Sequence, residues 1–503
     1  MSRYRRPRLS GDVLSLLIGL TLVLSYAPFG YYWMAPPLLA LQVWLWQGLS
    51  PRRAALRGGL FGLALYSYGI WWVTISLHVH GNAPLVFAVL ATALLAAYLA
   101  LYPALIAWLL NRFWPQPGMV RWLLAFPVLW LSLDWVRSWL FSGFPWLALG
   151  YAQTDSVLAG WAPLGGVLLT GGAVLLSAGL LLLSWRGPYR PLWPLLLIGL
   201  WLGSSQLAKI EWTEPAGDPL PVAMIQGNIE QGQKWEDGNL ERILLRYSSL
   251  SIEVAADSRV IIWPETAIPL FIEYLDPEFL MALETHAEEN RVDYLIGAPS
   301  GDWDTGVYYN AVLAVGTTGG LYRKQHLLPF GEYLPLRSLF DVFHRFVTIP
   351  MADFTAGARD QPLLQAGGYP VGVSICFEAA FGPLIRRTLP EAAYLVNVSN
   401  DGWFGDTIAP AQHLQIARLR AIENRRWLAR ATNTGITALV NPQGQIVRQI
   451  PQFQAAILYG ELIPMQGATP YARLGDEPVL VVLLLLLGVL AVGGSQRSSR
   501  IKQ

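Results

Sequence analysis

Long apolar runs constrain this chain more than any other feature. They fall at about 12–28, 30–48, 57–77, 84–111, 121–142, 158–185, 191–208 and 478–494. A hydrocarbon core about 30 Å thick is spanned by about 20 apolar residues in a helix, so each run reads as a transmembrane segment. Pro36, Pro37 and Pro194 blur the ends of the second and seventh runs. The last is the cleanest, with Val479 to Leu487 wholly apolar. Only 14% of the chain is charged, against roughly 25% in soluble proteins. That deficit is concentrated in 9–207 and near the C-terminus.

Basic residues then orient the spans, because short cytoplasmic loops are rich in them. Arg3, Arg5, Arg6 and Arg8 precede the first run; Arg52, Arg53 and Arg57 follow the second, Arg112 and Arg121 the fourth, Arg186 and Arg190 the sixth, and Arg497, Arg500 and Lys502 the last. The alternate connections, with His78 and His80 in one and 141–156 in another, are poor in such residues. Eight spans therefore place both termini in the cytoplasm and 209–470 outside it. Residues 1–28 also fit a cleaved signal peptide, but cleavage would strand the basic tail outside, so an uncleaved anchor is preferred. The expected domains are 1–208 with seven helices, an extracytoplasmic 209–470, and 471–503 with the final helix and a cytoplasmic tail. Arg137 and Phe144-Pro145-Trp146 read as interface anchors. The net charge of +1 and the lack of a basic domain give no sign of nucleic acid.

Between the apolar parts the pattern becomes short β-rich runs separated by helical stretches, which indicates a layered α/β domain. Strands are expected at 222–229, 260–264, 294–298, 310–315, 321–323, 371–375, 395–398, 429–432, 436–440 and 456–461. Thr317-Thr318-Gly319-Gly320 and Asn441-Pro442-Gln443-Gly444 signal hairpins. Helices are expected near 237–256, 277–290, 380–389 and 411–426. Glu265, Lys324 and Cys376 each follow an expected strand, where a rigid sheet presents functional groups. A lone glutamate or lysine in such a place is ordinarily solvated. A lone cysteine is as often a small buried hydrophobe, and the chain has one cysteine, which excludes an intrachain disulfide. A helix start and a nearby lysine predict a depressed thiol pKa for Cys376. His413, Arg418, Arg420, Glu423 and Arg426 on helix 411–426 read as a solvated face with no catalytic role.

Trp263-Pro264-Glu265-Thr266-Ala267, the stretch Tyr322 to Glu332, and Ile375-Cys376-Phe377-Glu378 together resemble the nitrilase superfamily. With Asn397 to Gly405 and the flanking spans, the chain resembles its membrane-bound branch, the apolipoprotein N-acyltransferases. The resemblance covers nearly the whole length and implies an αββα sandwich. It places a general base on Glu265, an oxyanion-stabilising lysine on Lys324 and the nucleophile on Cys376. Auxiliary roles fall on Glu332, Glu378, Trp235 and Phe377, the last standing where some members have tyrosine.

The same resemblance implies a ping-pong acyl transfer in a bacterial inner membrane, with the catalytic domain periplasmic. A phospholipid would acylate Cys376, and the thioester would pass to the free α-amino group of a diacylated apolipoprotein. No metal or cofactor is called for, and the chemistry is compatible with a monomer. Residues 336–347 gather Phe343 and Phe346 on one helical face, which reads either as a lipid-entry lid or as a helix packed on its own domain. Two other readings compete: a membrane-tethered amidase releasing its acyl group to water, and a transporter with an accessory domain. The scarcity of ionisable residues in the spans, Asp134 being an exception, weighs against transport.

Overall fold

The computed structural model of the chain describes residues 8–236, 238–302, 304–333 and 353–500. It divides into two compact units, one of residues 1–74, 86–210 and 474–503 and the other of 75–85 and 211–473. The expected lid, 336–347 with Phe343 and Phe346, lies outside the described residues.

In the first unit each apolar run overlaps a helix: Arg8–Leu22, Ala35–Leu45, Pro51–Gly69, Leu85–Phe113, Phe126–Arg137, Ala162–Arg186, Leu192–Leu207 and Glu477–Arg500. Several are shorter than the runs that announced them. Among the described residues, Leu85–Phe113 and Val157–Arg186 are long and apolar enough to cross a membrane, with a third if Pro51–Gly69 continues through Trp72–His80. Ala35–Leu45 is short because Pro36 and Pro37 confine its start. The run 121–142 divides into a π-helical turn, Val120–Ala125, and the helix that follows.

Three of the arginines assigned to loops or interfaces are buried instead. Arg57 pairs with Asp12 at 3.0 Å and donates to Leu45 O, and Arg121 donates to Leu110 O. Arg137 pairs with Asp134 at 2.9 Å and donates to the carbonyls of Phe144 and Trp146, each at 2.7 Å. It ties down its own loop rather than anchoring at an interface. An arginine inside an apolar bundle is tolerated only with such partners.

The second unit is a sandwich of two six-stranded sheets. One runs β13-β2-β3-β4-β5-β6 and the other β12-β11-β10-β9-β8-β7. The strands are β1 (Thr213–Pro215), β2 (Leu220–Gln226), β3 (Val260–Ile262), β4 (Asp293–Asp302), β5 (Val307–Val315), β6 (Gly320–Arg323), β7 (Leu364–Ala366), β8 (Tyr369–Ile375), β9 (Tyr394–Ser399), β10 (Leu428–Thr432), β11 (Thr437–Val440), β12 (Ile446–Ile450), β13 (Ala456–Leu462) and β14 (Met465–Gly467). β1 and β14 pair separately. Parallel pairing of β2, β3 and β4, and of β8, β9 and β10, directs their C-terminal ends to one edge of each sheet. The expected hairpins join β5 to β6 and β11 to β12.

Strand alternation divides the faces. In β2, Ala223 and Ile225 enter a core with Ile243 and Tyr247 of helix Asn239–Val254 and Leu283 and Ala287 of helix Pro277–Asn290. Gln226 points the other way and accepts from Thr437 of the opposite sheet at 2.6 Å. The second sheet is covered by Gly382–Ile385 and Ala409–Asn424, through Leu384, Leu414, Ala417 and Ala421. Helices on both outer faces complete the αββα layering that the resemblance implied.

Trp263, stacked on Tyr247 at 5.0 Å and donating to Ser251 at 2.9 Å, fixes where β3 ends and Glu265 begins. Gly297 on β4 passes so close that a Cβ there would sit 2.7 Å from Glu265 Cα and press on Pro264 O. Gly297→Ala is therefore expected to cost about 1–3 kcal/mol, visible as a lower thermal midpoint; an unchanged midpoint would refute this packing.

Candidate active site

Two elbows bring the sheets' chemistry together. Glu265 leaves β3 through Pro264 and is followed by Thr266 at φ +48°. Cys376 leaves β8 and itself takes φ +52°. Left-handed backbone at a non-glycine residue costs on the order of 1–3 kcal/mol and is kept where surrounding bonds enforce it. Lys324 leaves β6, its N–H donating to Asn310 O of β5 at 2.8 Å.

The Glu265 and Lys324 side chains share one buried network, and Cys376 lies close enough to feel both charges. Lys324 Nζ lies 2.8 Å from Glu332 Oε1 and 3.6 Å from Glu265 Oε1. Asn310 Nδ2 donates to both carboxylates, at 2.8 Å each. Glu265 Oε2 accepts the N–H of Asn400 at 2.8 Å, and Glu332 Oε2 that of Leu328 at 2.8 Å. Burial alone would favour a neutral Lys324, but Glu332, then Glu265 and Cys376, outweigh it and raise the pKa above that of a free lysine. These neighbours favour the charged form.

Cys376 behaves contrary to the expected depressed pKa. Burial first, and the Glu265 carboxylate next, push the thiol well above its ordinary value; Lys324 and a hydrogen bond with Ser399 oppose this and lose. The helix invoked in the sequence is a single 3₁₀ stretch, Cys376–Ala380, too short to contribute much dipole. A protonated thiol beside a carboxylate suits proton transfer during attack rather than before it.

Of the auxiliary residues, Glu332 is a direct partner of Lys324. Glu378 sits one step back, accepting from Ile375 N at 2.8 Å, Gln325 N at 2.7 Å, His326 N at 3.1 Å and Tyr322 Oη at 3.0 Å. It clamps the residue before Cys376 to the residues after Lys324. Burial raises its pKa, with Lys324 and the backbone donors pulling it down. Phe377 is buried and packs edge-on against Phe381 at 5.1 Å. Trp235 is 39% exposed, and among the described residues no bond joins it to the network.

The sequence reading missed the support beneath the nucleophile. Helix Ala409–Asn424 is almost wholly buried rather than solvated. His413 Nε2 lies 3.1 Å from Cys376 O and its Nδ1 2.9 Å from Asp401 Oδ1. Arg430 on β10 donates to Asp401 Oδ2 at 2.9 Å and also to Asn397. Although burial works against the charge, Arg430 and His413 hold Asp401 well below the usual carboxylate range. Buried Arg426 on the same segment donates to Ala392 O at 2.7 Å and Gly467 O at 2.7 Å. The signal available in the sequence was Asp401 in the Asn397–Gly405 stretch, but its partners are 12 and 29 residues away. Among the described residues no group of His, Cys, Asp and Glu is arranged to hold a metal ion.

Two family models match the chain: the apolipoprotein N-acyltransferase N-terminal domain over residues 18–180 and carbon-nitrogen hydrolase over 221–471. Among curated proteins, the apolipoprotein N-acyltransferase of Methylococcus capsulatus is 45% identical, with 95% of each chain covered. That of Azotobacter vinelandii is 42% identical, covering 96% of this chain and 95% of its own. That of Nitrosomonas europaea is 41% identical, covering 97% and 98%.

The raised thiol pKa has a direct consequence. Only thiolate is alkylated, so iodoacetamide labelling of Cys376, the chain's one cysteine, should climb about tenfold per pH unit from pH 7 to 9. A plateau below pH 8 would show a depressed pKa instead.

Proposed function

The chain belongs to the apolipoprotein N-acyltransferase family, and we propose that it carries a fatty acyl group from a phospholipid to the N-terminal amine of a diacylated lipoprotein through a thioester on Cys376. It is an N-acyltransferase of the carbon-nitrogen hydrolase superfamily. The observation that carries the finer reading is the convergence of a buried thiol, a carboxylate and a lysine whose neighbours favour its charged form, at the ends of β8, β3 and β6.

In the first step Glu265 takes the Cys376 proton as sulfur attacks the ester carbonyl. Lys324 and backbone N–H groups beyond Cys376 stabilise the oxyanion. The intermediate collapses by breaking the C–O bond, and the proton passes to the departing alkoxide as lysophospholipid leaves. In the second step the lipoprotein amine attacks the thioester. A C–N bond forms, the C–S bond breaks, and the amine proton returns through Glu265 to sulfur. Glu332 holds Lys324 in place. Glu378 keeps the two strand ends in register, and Trp235 and Phe377 supply apolar surface near the acyl path.

The charge pattern of the sequence supports the orientation, and the family supports the compartment. The proposal is eight spans in a bacterial inner membrane with both termini cytoplasmic, residues 1–208 and 471–503 embedded or inside, and 209–470 periplasmic. Both substrates are lipids, and a catalytic unit joined to apolar helices at both ends is suited to them.

Intact-protein mass spectrometry tests the scheme. Purified protein incubated with phospholipid should gain one acyl mass on Cys376, and a diacylated lipopeptide should clear it as an amide. Cys376→Ala should show no adduct. Glu265→Gln should slow acylation about 10²–10⁴-fold and Lys324→Ala about 10²–10³-fold. Release as free fatty acid in the presence of lipopeptide would make the protein a hydrolase and overturn the proposal.

A further inference from the structure

A second lysine is buried within the field of the Glu265 carboxylate. Lys234 is 2% exposed, and among the described residues its Nζ has no hydrogen-bond acceptor. Lysines ordinarily run their stems along apolar surface and keep the ammonium in water, because a buried unpaired cation is among the costliest groups a fold can carry. Here the next residue, Trp235, is the exposed one, so the usual order of lysine outside and tryptophan inside is reversed.

The segment bearing Lys234 is held to the active site by named bonds. Gln231 Oε1 accepts from Asn400 Nδ2 at 2.7 Å, and the N–H of the same Asn400 donates to Glu265 at 2.8 Å. Ile229 N donates to Asn433 Oδ1 at 3.0 Å, and Asn239 Nδ2 closes the turn on Gln233 O at 2.9 Å. The ammonium feels the Glu265 carboxylate, yet burial dominates and pulls its pKa down to about 8. It forms no ion pair with Glu265.

The charges around the nucleophile are otherwise committed. Lys324 is bonded to Glu332 and close to Glu265, and Arg430 is bonded to Asp401. A phosphodiester entering beside the Glu265 and Glu332 carboxylates would be repelled unless a further cation received it. In a glycerophospholipid the glycerol backbone separates the reacting ester from the phosphate. The cation serving the phosphate must then stand near the nucleophile but apart from the one serving the carbonyl.

We propose that Lys234 is the phosphate subsite of the donor, its ammonium receiving the phosphodiester while Lys324 attends the ester carbonyl. This rests on the phospholipid-donor reading above and assigns the part of the donor that reading left unplaced.

The test compares two donors of the same acyl chain on the full-length protein in detergent: dipalmitoylphosphatidylglycerol, which carries the phosphodiester, and p-nitrophenyl palmitate, which does not. Cys376 acylation is followed by intact mass, and the readout is the ratio of kcat/KM for the two. In Lys234→Met the phospholipid-to-ester ratio should fall about 10- to 100-fold, chiefly through KM for the phospholipid. Lys234→Arg, which keeps the charge, should restore most of it. If the methionine variant does not fold, Lys234→Gln carries the same comparison. An unchanged ratio, whatever happens to the absolute rates, overturns the assignment. Wild-type protein acylated by the neutral ester but by no phospholipid would instead remove the reading on which it rests.

Discussion

Two carboxylates around one ammonium, closed off from water, set the terms for the rest of the catalytic unit. Lys324 cannot be buried charged without acceptors, and Glu332 and Glu265 cannot be buried as carboxylates without donors. Each requirement is met only if β5, β6 and the elbow after β3 arrive together, since Asn310 from β5 bonds both acids. Breaking one member of such a group typically costs about 3–5 kcal/mol, enough to enforce the register of the sheet edge. The two contacts are unequal, 2.8 Å to Glu332 and 3.6 Å to Glu265. Glu332 therefore takes most of the lysine's charge and leaves Glu265 less committed to it. In the proposed reaction that difference separates the acid that positions the cation from the acid that moves the proton.

A second constraint acts on the backbone at Cys376. Its positive φ has to be enforced from both sides. Glu378 accepts the N–H of the residue before it, and His413 meets its own carbonyl. The price of this enclosure is a thiol that stays protonated at rest. In the proposed periplasmic setting such a thiol would have an advantage, because oxidation and disulfide exchange act on thiolate. A carboxylate poised to accept the proton only when a carbonyl is present gives reactivity to the substrate rather than to solvent oxidants.

How much of this was legible in the sequence depended on whether the determinants were local. Ten strands, two hairpins and four outer helices of the catalytic unit followed from alternation, turn residues and period, and their ends moved by a few residues. β1, β7, β12 and β14 did not, because they are short and carry little apolar signal; β12, Ile446–Ile450, is exposed along its middle. Helix Ala409–Asn424 was misread because arginine and glutamate suggest water, whereas His413, Arg420, Glu423 and Arg426 are satisfied by partners in the folded unit. The sign of the Cys376 shift was misread because proximity to a lysine was legible and the depth of burial was not. Lys234 and Trp235 show the same limit in two adjacent residues, since composition alone would bury the tryptophan and solvate the lysine.

The competition between amine and water as the final acceptor turns on enclosure. In the proposed scheme a thioester on a sulfur as buried as Cys376 would sit where bulk water is largely excluded, which would suppress hydrolysis more than attack by an amine delivered with its own lipid anchor. Bringing a sixteen-carbon chain through water to a soluble enzyme would expose about 15 methylenes at ~0.8 kcal/mol each, on the order of 12 kcal/mol. The chain enters the catalytic unit from Leu192–Leu207 and leaves it into Glu477–Arg500, and in the proposed membrane setting that tethering would avoid the cost. The same triad would serve a hydrolase, so the proposed transfer between two lipids rests on the apolar runs that dominate the sequence, for which an enzyme with water-soluble substrates has no evident use.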